Sequence, residues 1–466
     1  MRMSGKYRII VIGGGPAGYV AAIKASQSGA RVALIEEDSI GGTCLNRGCI
    51  PTKAYLKNAE IIENIHKASS RGIRIKDSGI EIDMKATLRM KNRIVTQLTG
   101  GVKSLLKAGG VEIYTGRGVI QSAGTVLVNN SQLLTGKNII IAGGSDSSRI
   151  PIPGIDSSLV LTSEELLSID ELPESLAVIG GGVIGVEMAL IFLAFGVKVE
   201  IIEMADSLLP FMDTSLSDLI EKKLRRNGAV IHKGSGLKII EEEKDSLSLK
   251  LSSGTIINAE KALLSIGRVP NLSAIPALEK LNLKTEKGSL AVNDYMETSI
   301  PGIYAAGDIT AKKMLAHAAF KMGEIAAENA LGAQKPVDLR YVPSVVYSLP
   351  ELASVGLSEE EASRKKSIRT GFFPLSANGK ALAAGESEGF VKIITDSRYG
   401  EVLGVHIAGP GASEIINEAA ALMAMEVTSH EIADIIHGHP SVGEAFMEAA
   451  ADSLGRCIHL PPVRLR

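Results

Sequence analysis

Two cysteines near the N-terminus are the residues best suited to redox chemistry. Cys44 and Cys49 lie five positions apart within Gly-Gly-Thr-Cys-Leu-Asn-Arg-Gly-Cys-Ile-Pro-Thr-Lys, which spans residues 41–53. At a helix start, two cysteines with this spacing can lie on adjoining turns and close a small disulfide. The helix N-terminus and a nearby base would favour the thiolate, which is the reactive form of cysteine.

Two other interpretations of the cysteine pair have to be weighed. A metal site needs two more ligands, and the remaining cysteine, Cys457, lies far away in sequence. We therefore predict no metal. The pair could also be two unrelated buried thiols, an alternative that loses weight if a flavin motif lies nearby.

An internal repeat of glycine motifs organises much of the chain. Residues 13–36 return, without a gap, as residues 180–203. Each copy is typical of a strand, a tight glycine turn, a helix and a second strand that ends in an acidic residue, Glu36 or Glu203. The paired glycines are Gly13 with Gly180, Gly15 with Gly182, and Gly18 with Gly185. The repeat predicts two related nucleotide-binding units.

The residues of each copy have separate tasks in binding a dinucleotide. The first glycine permits the tight turn, the second lets the backbone approach a pyrophosphate, and the third lets helix and strand pack closely. The helix N-terminus offers free N–H groups to the phosphates, and the acidic residue can accept hydrogen bonds from ribose hydroxyls. Glu203 favours NAD over NADP, because a carboxylate repels a 2′-phosphate and residues 204–209 contain no basic side chain.

A segment near the C-terminus could supply a proton-transfer group. Residues 437–444 read His-Gly-His-Pro-Ser-Val-Gly-Glu. An imidazole titrates near neutrality, so it can take a thiol proton and return it. Glu444 could orient the ring of His439 and stabilise its charged form. An isolated histidine is more often structural, so the segment by itself leaves the assignment open.

The segment of residues 41–53 resembles the redox-active disulfide segment of the pyridine nucleotide-disulfide oxidoreductases. Its Leu-Asn and Ile-Pro variant is most similar to that of the dihydrolipoyl dehydrogenases within this family. The resemblance extends over essentially the whole chain. Residues 298–308 (TSIPGIYAAGD) are similar to the second FAD motif, residues 314–317 to the segment whose backbone meets the isoalloxazine, and residues 265–271 to the link between the NAD domain and the central domain.

The resemblance implies a role for each catalytic residue. Cys44 would exchange with a substrate dithiol, and Cys49 would be the flavin-proximal thiol that passes electrons on. His439 would be the general acid/base, with Glu444 orienting its ring. In this family the base reaches across from the second subunit, so the resemblance also implies a homodimer with shared active sites.

The resemblance implies FAD and NAD as the cofactors. Lys53 would lie near the flavin and pair with Glu187 of the second glycine motif. The predicted cofactor-binding residues are Gly13, Gly15, Gly18, Glu36, Lys53, Gly118, Asp308, Ala316, Gly180, Gly182, Gly185, Glu187, Glu203 and Gly267.

These residues need an α/β framework with two Rossmann-like dinucleotide-binding domains and a C-terminal α+β dimerisation domain. The predicted divisions are the first part of the FAD domain (1–149), the NAD domain (150–270), a central domain that completes the FAD site (271–340) and the interface domain (341–466). We predict an amphipathic helical stretch over residues 57–107, then short strands up to residue 141. After residues 262–270 we predict that the chain becomes strand-rich again up to residue 308. From about residue 341 we predict an antiparallel sheet flanked by helices over residues 413–425 and 444–454.

The composition limits the class of protein. The 466 residues carry 50 Lys and Arg against 52 Asp and Glu, a net charge of -2. This balance does not indicate the excess of positive charge that is typical of nucleic-acid binding. The longest apolar stretch, residues 183–197, contains Glu187 and is too short to span a membrane. Three cysteines exclude the disulfide framework of a secreted domain, and we predict a cytoplasmic protein.

The motifs and the resemblance together predict an NAD-dependent flavoprotein that oxidises a dihydrolipoyl dithiol to the disulfide. Its partner would be a lipoyl-bearing protein of a 2-oxoacid dehydrogenase or glycine cleavage complex, or the substrate would be free lipoamide. Two alternatives stay open. One is a related reductase that uses NADPH on another disulfide or on mercuric ion, and the other is a flavin-binding redox sensor or scaffold that no longer turns over.

Overall fold

A computed structural model describes residues 4–75, 79–274 and 281–461. The first glycine motif follows the central strand of a seven-stranded sheet. Residues 9–12 of the central strand are buried, as is typical of a parallel strand covered on both faces. Four strands run in the order β3 (Glu112–Thr115), β2 (Val32–Glu36), β1 (Ser4–Ile12) and β6 (Gln132–Ile141), all parallel. Beyond β6, the strand β19 (Ile303–Ala305) pairs in parallel, and β5 (Thr125–Val128) and β4 (Gly118–Ser122) follow antiparallel.

The second glycine motif lies in a parallel sheet of the same design. Its order is β11 (Val230–His232), β10 (Lys198–Ile202), β9 (Ser175–Ile179), β15 (Lys261–Leu264) and β8 (Val160–Leu161). An antiparallel sheet of β12 (Leu237–Glu243), β13 (Ser246–Leu251) and β14 (Ile256–Ala259) shares an apolar core with it. In both sheets the glycine-motif strand is flanked by the strand that ends in the acidic residue. The duplicated topology confirms the predicted repeat.

The C-terminal part of the chain forms an antiparallel sheet, as predicted. Its order is β20 (Ser344–Val346), β21 (Leu352–Gly356), β24 (Val402–Ala408), β23 (Phe390–Asp396) and β22 (Ile368–Pro374). Two short pairs link the sheets: β7 (Ser145–Ser147) with β16 (Arg268–Pro270), and β17 (Thr285–Glu286) with β18 (Ser289–Leu290). Among its described residues, the stretch after residue 270 that was predicted to be strand-rich therefore carries only β17, β18 and β19.

The helices lie between and around the sheets, and none of those described is long and apolar enough to cross a membrane. Those of the N-terminal half are α1 (Pro16–Gln27), α2 (Gly42–Arg47), α3 (Cys49–Lys67), α4 (Met84–Ala108), α5 (Ser163–Leu166), α6 (Val183–Ala194) and α7 (Thr214–Arg226). Those that follow are α8 (Ala316–Ala330), α9 (Glu359–Ser363), α10 (Gly379–Ala384), α11 (Ala412–Ala424), α12 (Ser429–Asp434) and α13 (Glu444–Ser453).

The helical stretch predicted over residues 57–107 consists of two helices with a break between them. The helix α3 ends at Lys67, and a short 3-10 turn closes at Gly72, which has a φ of 80°. The next helix starts at Met84, where the side chain of Asp83 accepts a hydrogen bond from the N–H of Ala86 at 2.8 Å. The left-handed glycine ends one helix and the aspartate cap begins the other.

A buried charge cluster holds the C-terminal sheet against the second nucleotide-binding unit. Asp213, at the start of α7, is 2% exposed and accepts a hydrogen bond from Lys392 Nζ of β23 at 2.8 Å. It also accepts one from the N–H of Glu359 at 3.0 Å. Burial opposes its charge, but these donors hold the pKa of Asp213 well below its usual range. Lys392 and Asp213 thus join two parts of the chain in one body.

Replacing Gly323 by alanine tests how closely α1 and α8 approach. A Cβ at Gly323 would lie 2.2 Å from the carbonyl oxygen of Ala17, so the helices would have to separate. We expect the variant to lower the free energy of unfolding by roughly 1–3 kcal/mol, measured as a lower melting temperature in scanning fluorimetry. The control is Gly100→Ala in α4, where a Cβ has nothing within 4 Å. A Gly323→Ala protein as stable as that control would contradict the close approach.

Candidate active site

The two cysteines lie on separate helices that meet at Gly48. Cys44 belongs to α2, and Cys49 is the first residue of α3. The expectation that both would sit on adjoining turns of one helix start is wrong, because Gly48 has φ -129° and ψ -109° and interrupts the helix. The two thiols nevertheless lie close enough for each to shift the pKa of the other. Among the described residues, Cys44 and Cys49 are therefore placed as a pair that can exchange a disulfide.

The cysteine segment lies directly against the first glycine loop. The N–H of Gly41 donates a hydrogen bond to the carbonyl oxygen of Gly14 at 2.8 Å. A Cβ at Gly42 would lie 2.6 Å from the Cα of Gly15, so only glycine allows this approach. The redox pair is thus fixed beside the loop that is predicted to bind a pyrophosphate.

The environment makes the two thiols unequal. The hydrogen bond from Cys44, with help from the Lys53 ammonium, lowers the pKa of Cys49 to about 7, although burial opposes this shift. The same hydrogen bond and burial raise the pKa of Cys44. When the reduced pair loses a proton, the negative charge therefore lies on Cys49, and Cys44 is the donor.

The predicted pair of Lys53 and Glu187 is present. The ammonium of Lys53 donates to both carboxylate oxygens of Glu187, at 2.9 and 3.1 Å. Glu187 is 4% exposed and lies on α6 of the second unit, whereas Lys53 lies on α3. The ion pair therefore ties the two nucleotide-binding units together next to Cys49.

Tyr347 also contacts this ion pair, and the sequence did not single it out. Its N–H donates to Glu187 at 2.9 Å, and the Lys53 ammonium lies 4.3 Å from the centre of its ring. Tyr347 follows β20 and belongs to no motif considered above. Its place in sequence gives no signal of this contact, because 160 residues separate it from Glu187.

The first and third glycines of both motifs have the geometry that their tasks require. Gly13 and Gly180 have φ values of 100° and 106°, a region that favours glycine. A Cβ at Gly18 would lie 1.8 Å from the carbonyl oxygen of Gly13, and one at Gly185 would lie 2.0 Å from that of Gly180. The first glycine thus makes the turn, and the third lets the helix pack on it.

The second glycines face open space. A Cβ at Gly182 would have nothing within 4 Å, and one at Gly15 would meet only Gly42, at 3.8 Å. The helices α1 and α6 begin directly after Gly15 and Gly182, and no side chain caps either helix. Pro16, the first residue of α1, has no N–H. The N–H groups that follow it, and those that start α6, are available to phosphate oxygens, which fits the pyrophosphates of FAD and NAD.

Glu36 and Glu203 make the same pair of backbone contacts. Glu36 accepts hydrogen bonds from the N–H groups of Gly14 and Asp38, at 2.5 and 2.8 Å. Glu203 accepts them from Gly181 and Ala205, both at 2.7 Å. Each ionised carboxylate has further lone pairs, so both can still accept a ribose hydroxyl. Burial raises the pKa of Glu36, although the Gly14 N–H opposes that shift.

Asp308 lies at the junction of the two units. The Ser145 hydroxyl donates to Asp308 at 2.6 Å, and Arg268 Nε donates to the same hydroxyl at 2.8 Å. Gly267 has a φ of 114°, and a Cβ there would have nothing within 4 Å. Ala316 is the first residue of α8, whose N-terminus is also free of a side-chain cap.

Gly118 has a packing task that the sequence did not predict. It lies in β4, where a Cβ would be 3.2 Å from the Ile35 side chain and 3.4 Å from that of Ile12. Its place between these side chains accounts for glycine at this position. Its part in binding FAD stays a prediction.

The structure distinguishes the two histidines of the C-terminal segment. His437 uses both ring nitrogens, Nδ1 with the Ile435 carbonyl and Nε2 with Glu418, each at 3.0 Å. His439 uses Nδ1 with Glu444 at 2.9 Å and is 79% exposed. Within the described residues its Nε2 makes no hydrogen bond, so His439 is the histidine that is free to move a proton.

Glu444 is held so that it can orient the ring of His439. Its second oxygen accepts a hydrogen bond from the Ser441 N–H at 2.8 Å. Partial burial would raise the pKa of Glu444, but the Ser441 N–H and His439 lower it below its usual value. The residue is therefore ionised at neutral pH and can stabilise a charged imidazole ring. Over the part of the chain that the structure describes, no group of three or more His, Cys, Asp or Glu side chains could hold a metal ion.

Known protein families and individual known sequences match this chain over nearly its whole length. Residues 7–323 match the family described as pyridine nucleotide-disulphide oxidoreductase, and residues 342–450 match the dimerisation domain of the same family. A dihydrolipoyl dehydrogenase of Bacillus subtilis is 39% identical, covering 98% of this chain and all of its own length. The mitochondrial dihydrolipoyl dehydrogenase 1 of Arabidopsis thaliana is 37% identical, covering 97% of this chain and 91% of its own.

Solved structures agree with the sequence matches. LpdA from Mycobacterium tuberculosis superposes with a TM-score of 0.88 at 27% identity, over 96% of this chain and 99% of its own. The HOCl-induced flavoprotein disulfide reductase RclA from Escherichia coli superposes with a TM-score of 0.86 at 27% identity and the same coverage. The predicted fold class is confirmed: two dinucleotide-binding units and a C-terminal α+β domain.

Replacing Lys53 by glutamine tests its effect on the Cys49 thiolate. Without the ammonium, the thiolate loses a stabilising charge, and we expect the pKa of Cys49 to rise by about one unit. The measurement is the pH dependence of iodoacetamide alkylation of Cys49, read by mass spectrometry in a Cys44→Ser background. Lys57→Gln is the control, because that lysine lies on the same helix and its side chain is 64% exposed. Identical alkylation profiles for the two variants would argue against the charge effect.

Proposed function

We infer that this chain, which belongs to the pyridine nucleotide-disulphide oxidoreductase family, is an NAD-linked flavoprotein that oxidises a dihydrolipoyl dithiol to the disulfide. The observation that carries this function is the contact between Cys44 and Cys49 beside the first glycine loop. A pair of thiols with unequal acidity next to a dinucleotide site is what dithiol–disulfide exchange coupled to a flavin requires.

The residues present fit both cofactors. Gly15 and the free N-terminus of α1 would hold the pyrophosphate of FAD, and Gly182 with α6 would hold that of NAD. Bound FAD supplies the two-electron chemistry between the thiols and NAD. We propose that Glu36 and Glu203 bind the ribose hydroxyls and that Asp308 and Ala316 lie at the flavin. Glu203 carries the preference for NAD over NADP, because it would repel a 2′-phosphate.

The two cysteines divide the thiol chemistry between them. One thiolate of the substrate attacks Cys44 Sγ, the bond from Cys44 to Cys49 breaks, and Cys49 leaves as a thiolate. The second substrate thiol then attacks the substrate sulfur bound to Cys44, which closes the substrate disulfide and releases Cys44. The low pKa of Cys49 makes it the better leaving group, and Lys53 stabilises the charge that forms there.

The proton leaves through His439. An imidazole can take the proton of the attacking thiol at neutral pH, and the ionised Glu444 holds the ring for that task. Among the described residues, the His439 ring makes no hydrogen bond with either cysteine of its own chain, and it is 79% exposed. We propose that it serves the redox pair of the partner subunit in a homodimer, which agrees with the match of residues 342–450 to a dimerisation domain.

The lipoyl group would be presented by a protein of a 2-oxoacid dehydrogenase or glycine cleavage complex, or as free lipoamide. The dithiol chemistry is the same in each case, and the names of the similar proteins support a lipoyl substrate in general. A location in the cytoplasm stays a prediction from the sequence.

The function predicts NADH formation when the FAD-loaded protein is mixed with dihydrolipoamide and NAD, followed at 340 nm. We expect NADP to be a far poorer acceptor, because Glu203 repels its 2′-phosphate. His439→Gln should lower kcat by about 10²- to 10⁴-fold, the usual contribution of a general acid/base. His66→Gln, an exposed histidine of α3, is the matched control. A FAD-loaded protein without turnover would favour another disulfide substrate or a redox sensor.

Mixed dimers test whether the active site is shared. Homodimers of Cys44→Ser and of His439→Gln should both be nearly inactive. In a mixed dimer, one site regains an intact Cys44 and an intact His439, so equal amounts of the two chains, refolded together, should recover about a quarter of the wild-type rate. Activity that stays at the level of the separate variants would place cysteine and histidine in one chain.

A further inference from the structure

We propose that Tyr347 is a positioning residue that holds the Lys53 ammonium beside Cys49 and so links the C-terminal domain to the redox pair. The proposal rests on the proposed function in one respect, because it assumes that the Cys49 thiolate takes part in turnover. Among the described residues, Tyr347 makes no hydrogen bond with Cys44 or Cys49. It acts through Lys53 and Glu187.

We call the group of Lys53, Glu187 and Tyr347 the clamp. Its three residues come from three parts of the chain. Lys53 lies on α3, Glu187 on α6, and Tyr347 in the turn between β20 and β21. The N–H of Tyr347 donates to a Glu187 oxygen at 2.9 Å, and that oxygen also accepts from Lys53 at 3.1 Å. The main chain of Tyr347 thus fixes the carboxylate, and the carboxylate fixes the ammonium.

The ring of Tyr347 supplies the second half of the clamp. The Lys53 ammonium lies 4.3 Å from the ring centre, within the distance at which a cation is attracted to an aromatic face. Only 31% of the Lys53 side chain and 5% of the Glu187 side chain are exposed. Partial removal from water strengthens such an attraction. The ring therefore covers one side of the ammonium while Glu187 binds another.

The position of Lys53 matters because it faces the thiolate. Lys53 follows Cys49 by four residues on α3, so both side chains lie on one face of the helix. The titratable groups with the largest effect on Cys49 are Cys44, Lys53 and Glu187. The neutral phenol of Tyr347 also lies within range of the Cys49 charge. Of these, Glu187 opposes the thiolate and Lys53 favours it, so a displaced ammonium would leave the unfavourable charge uncompensated.

The hydroxyl of Tyr347 is not part of the clamp. Within the described residues it makes no hydrogen bond, and burial, followed by the charges of Glu351 and Glu187, raises the pKa of Tyr347. The phenol is therefore neutral wherever Cys49 titrates. Phenylalanine should replace Tyr347 without loss, whereas a side chain without a ring should not.

The experiment compares Tyr347→Phe, Tyr347→Leu and Tyr347→Met, each in a Cys44→Ser background with FAD bound. We expect the pH midpoint of Cys49 alkylation to rise by roughly half a unit in the Leu and Met variants and to stay unchanged in the Phe variant. With Cys44 intact, the long-wavelength absorbance of the thiolate–flavin pair in the two-electron-reduced protein should weaken at pH 7 in the same two variants.

Tyr399→Leu is the control for the loss of a cation–ring contact elsewhere. Arg398 lies 4.8 Å from the centre of the Tyr399 ring, which is 64% exposed, and its loss should leave the alkylation midpoint unchanged. An unchanged midpoint in folded Tyr347→Leu or Tyr347→Met would overturn the proposal, as would a shift in Tyr347→Phe equal to theirs. Alkylation needs neither lipoyl substrate nor NAD, so failure of the proposed function would not appear as failure of this test.

Discussion

The ion pair of Lys53 and Glu187 is the interaction on which the active site depends. A carboxylate as buried as Glu187 costs several kcal/mol unless it is paired and hydrogen-bonded, and here it accepts from Lys53 and from the N–H of Tyr347. These donors come from the first nucleotide-binding unit and from the C-terminal domain. The need to satisfy one buried charge therefore fixes where three parts of the chain meet, and they meet beside Cys49.

The two nucleotide-binding units use the same arrangement of glycines and an acidic residue. In each, a glycine with positive φ ends the strand, and the absence of a side chain at the third glycine lets the helix touch that turn. In each, the acidic residue accepts the N–H of the glycine that follows the turn. They differ in what lies against the loop. The first meets the cysteine segment at Gly42, which places two thiols beside the loop predicted to bind a dinucleotide.

The C-terminal domain contributes to the site in two ways. It places Tyr347 against the ion pair within one chain, and it presents His439 and Glu444 on a surface where the histidine ring is largely exposed. A base whose Nδ1 is held and whose Nε2 is free is ready to move a proton, but it needs a thiol within reach. We therefore propose that the active site is shared between two subunits.

The reactive groups and their glycine loops could be located from the sequence, because they lie in short segments whose spacing is local. Cys44 with Cys49, the two glycine motifs and His439 with Glu444 could all be located in this way, as could the antiparallel sheet and its helices. Only the folded structure shows the break at Gly48, the end of α3 at Lys67 and the contact of Tyr347 with the ion pair. The pair of Lys53 and Glu187, across 134 residues, was expected from the family resemblance and not from local spacing. The contact of Tyr347 with Glu187, across 160 residues, depends on how folded domains pack, and no local pattern records that packing.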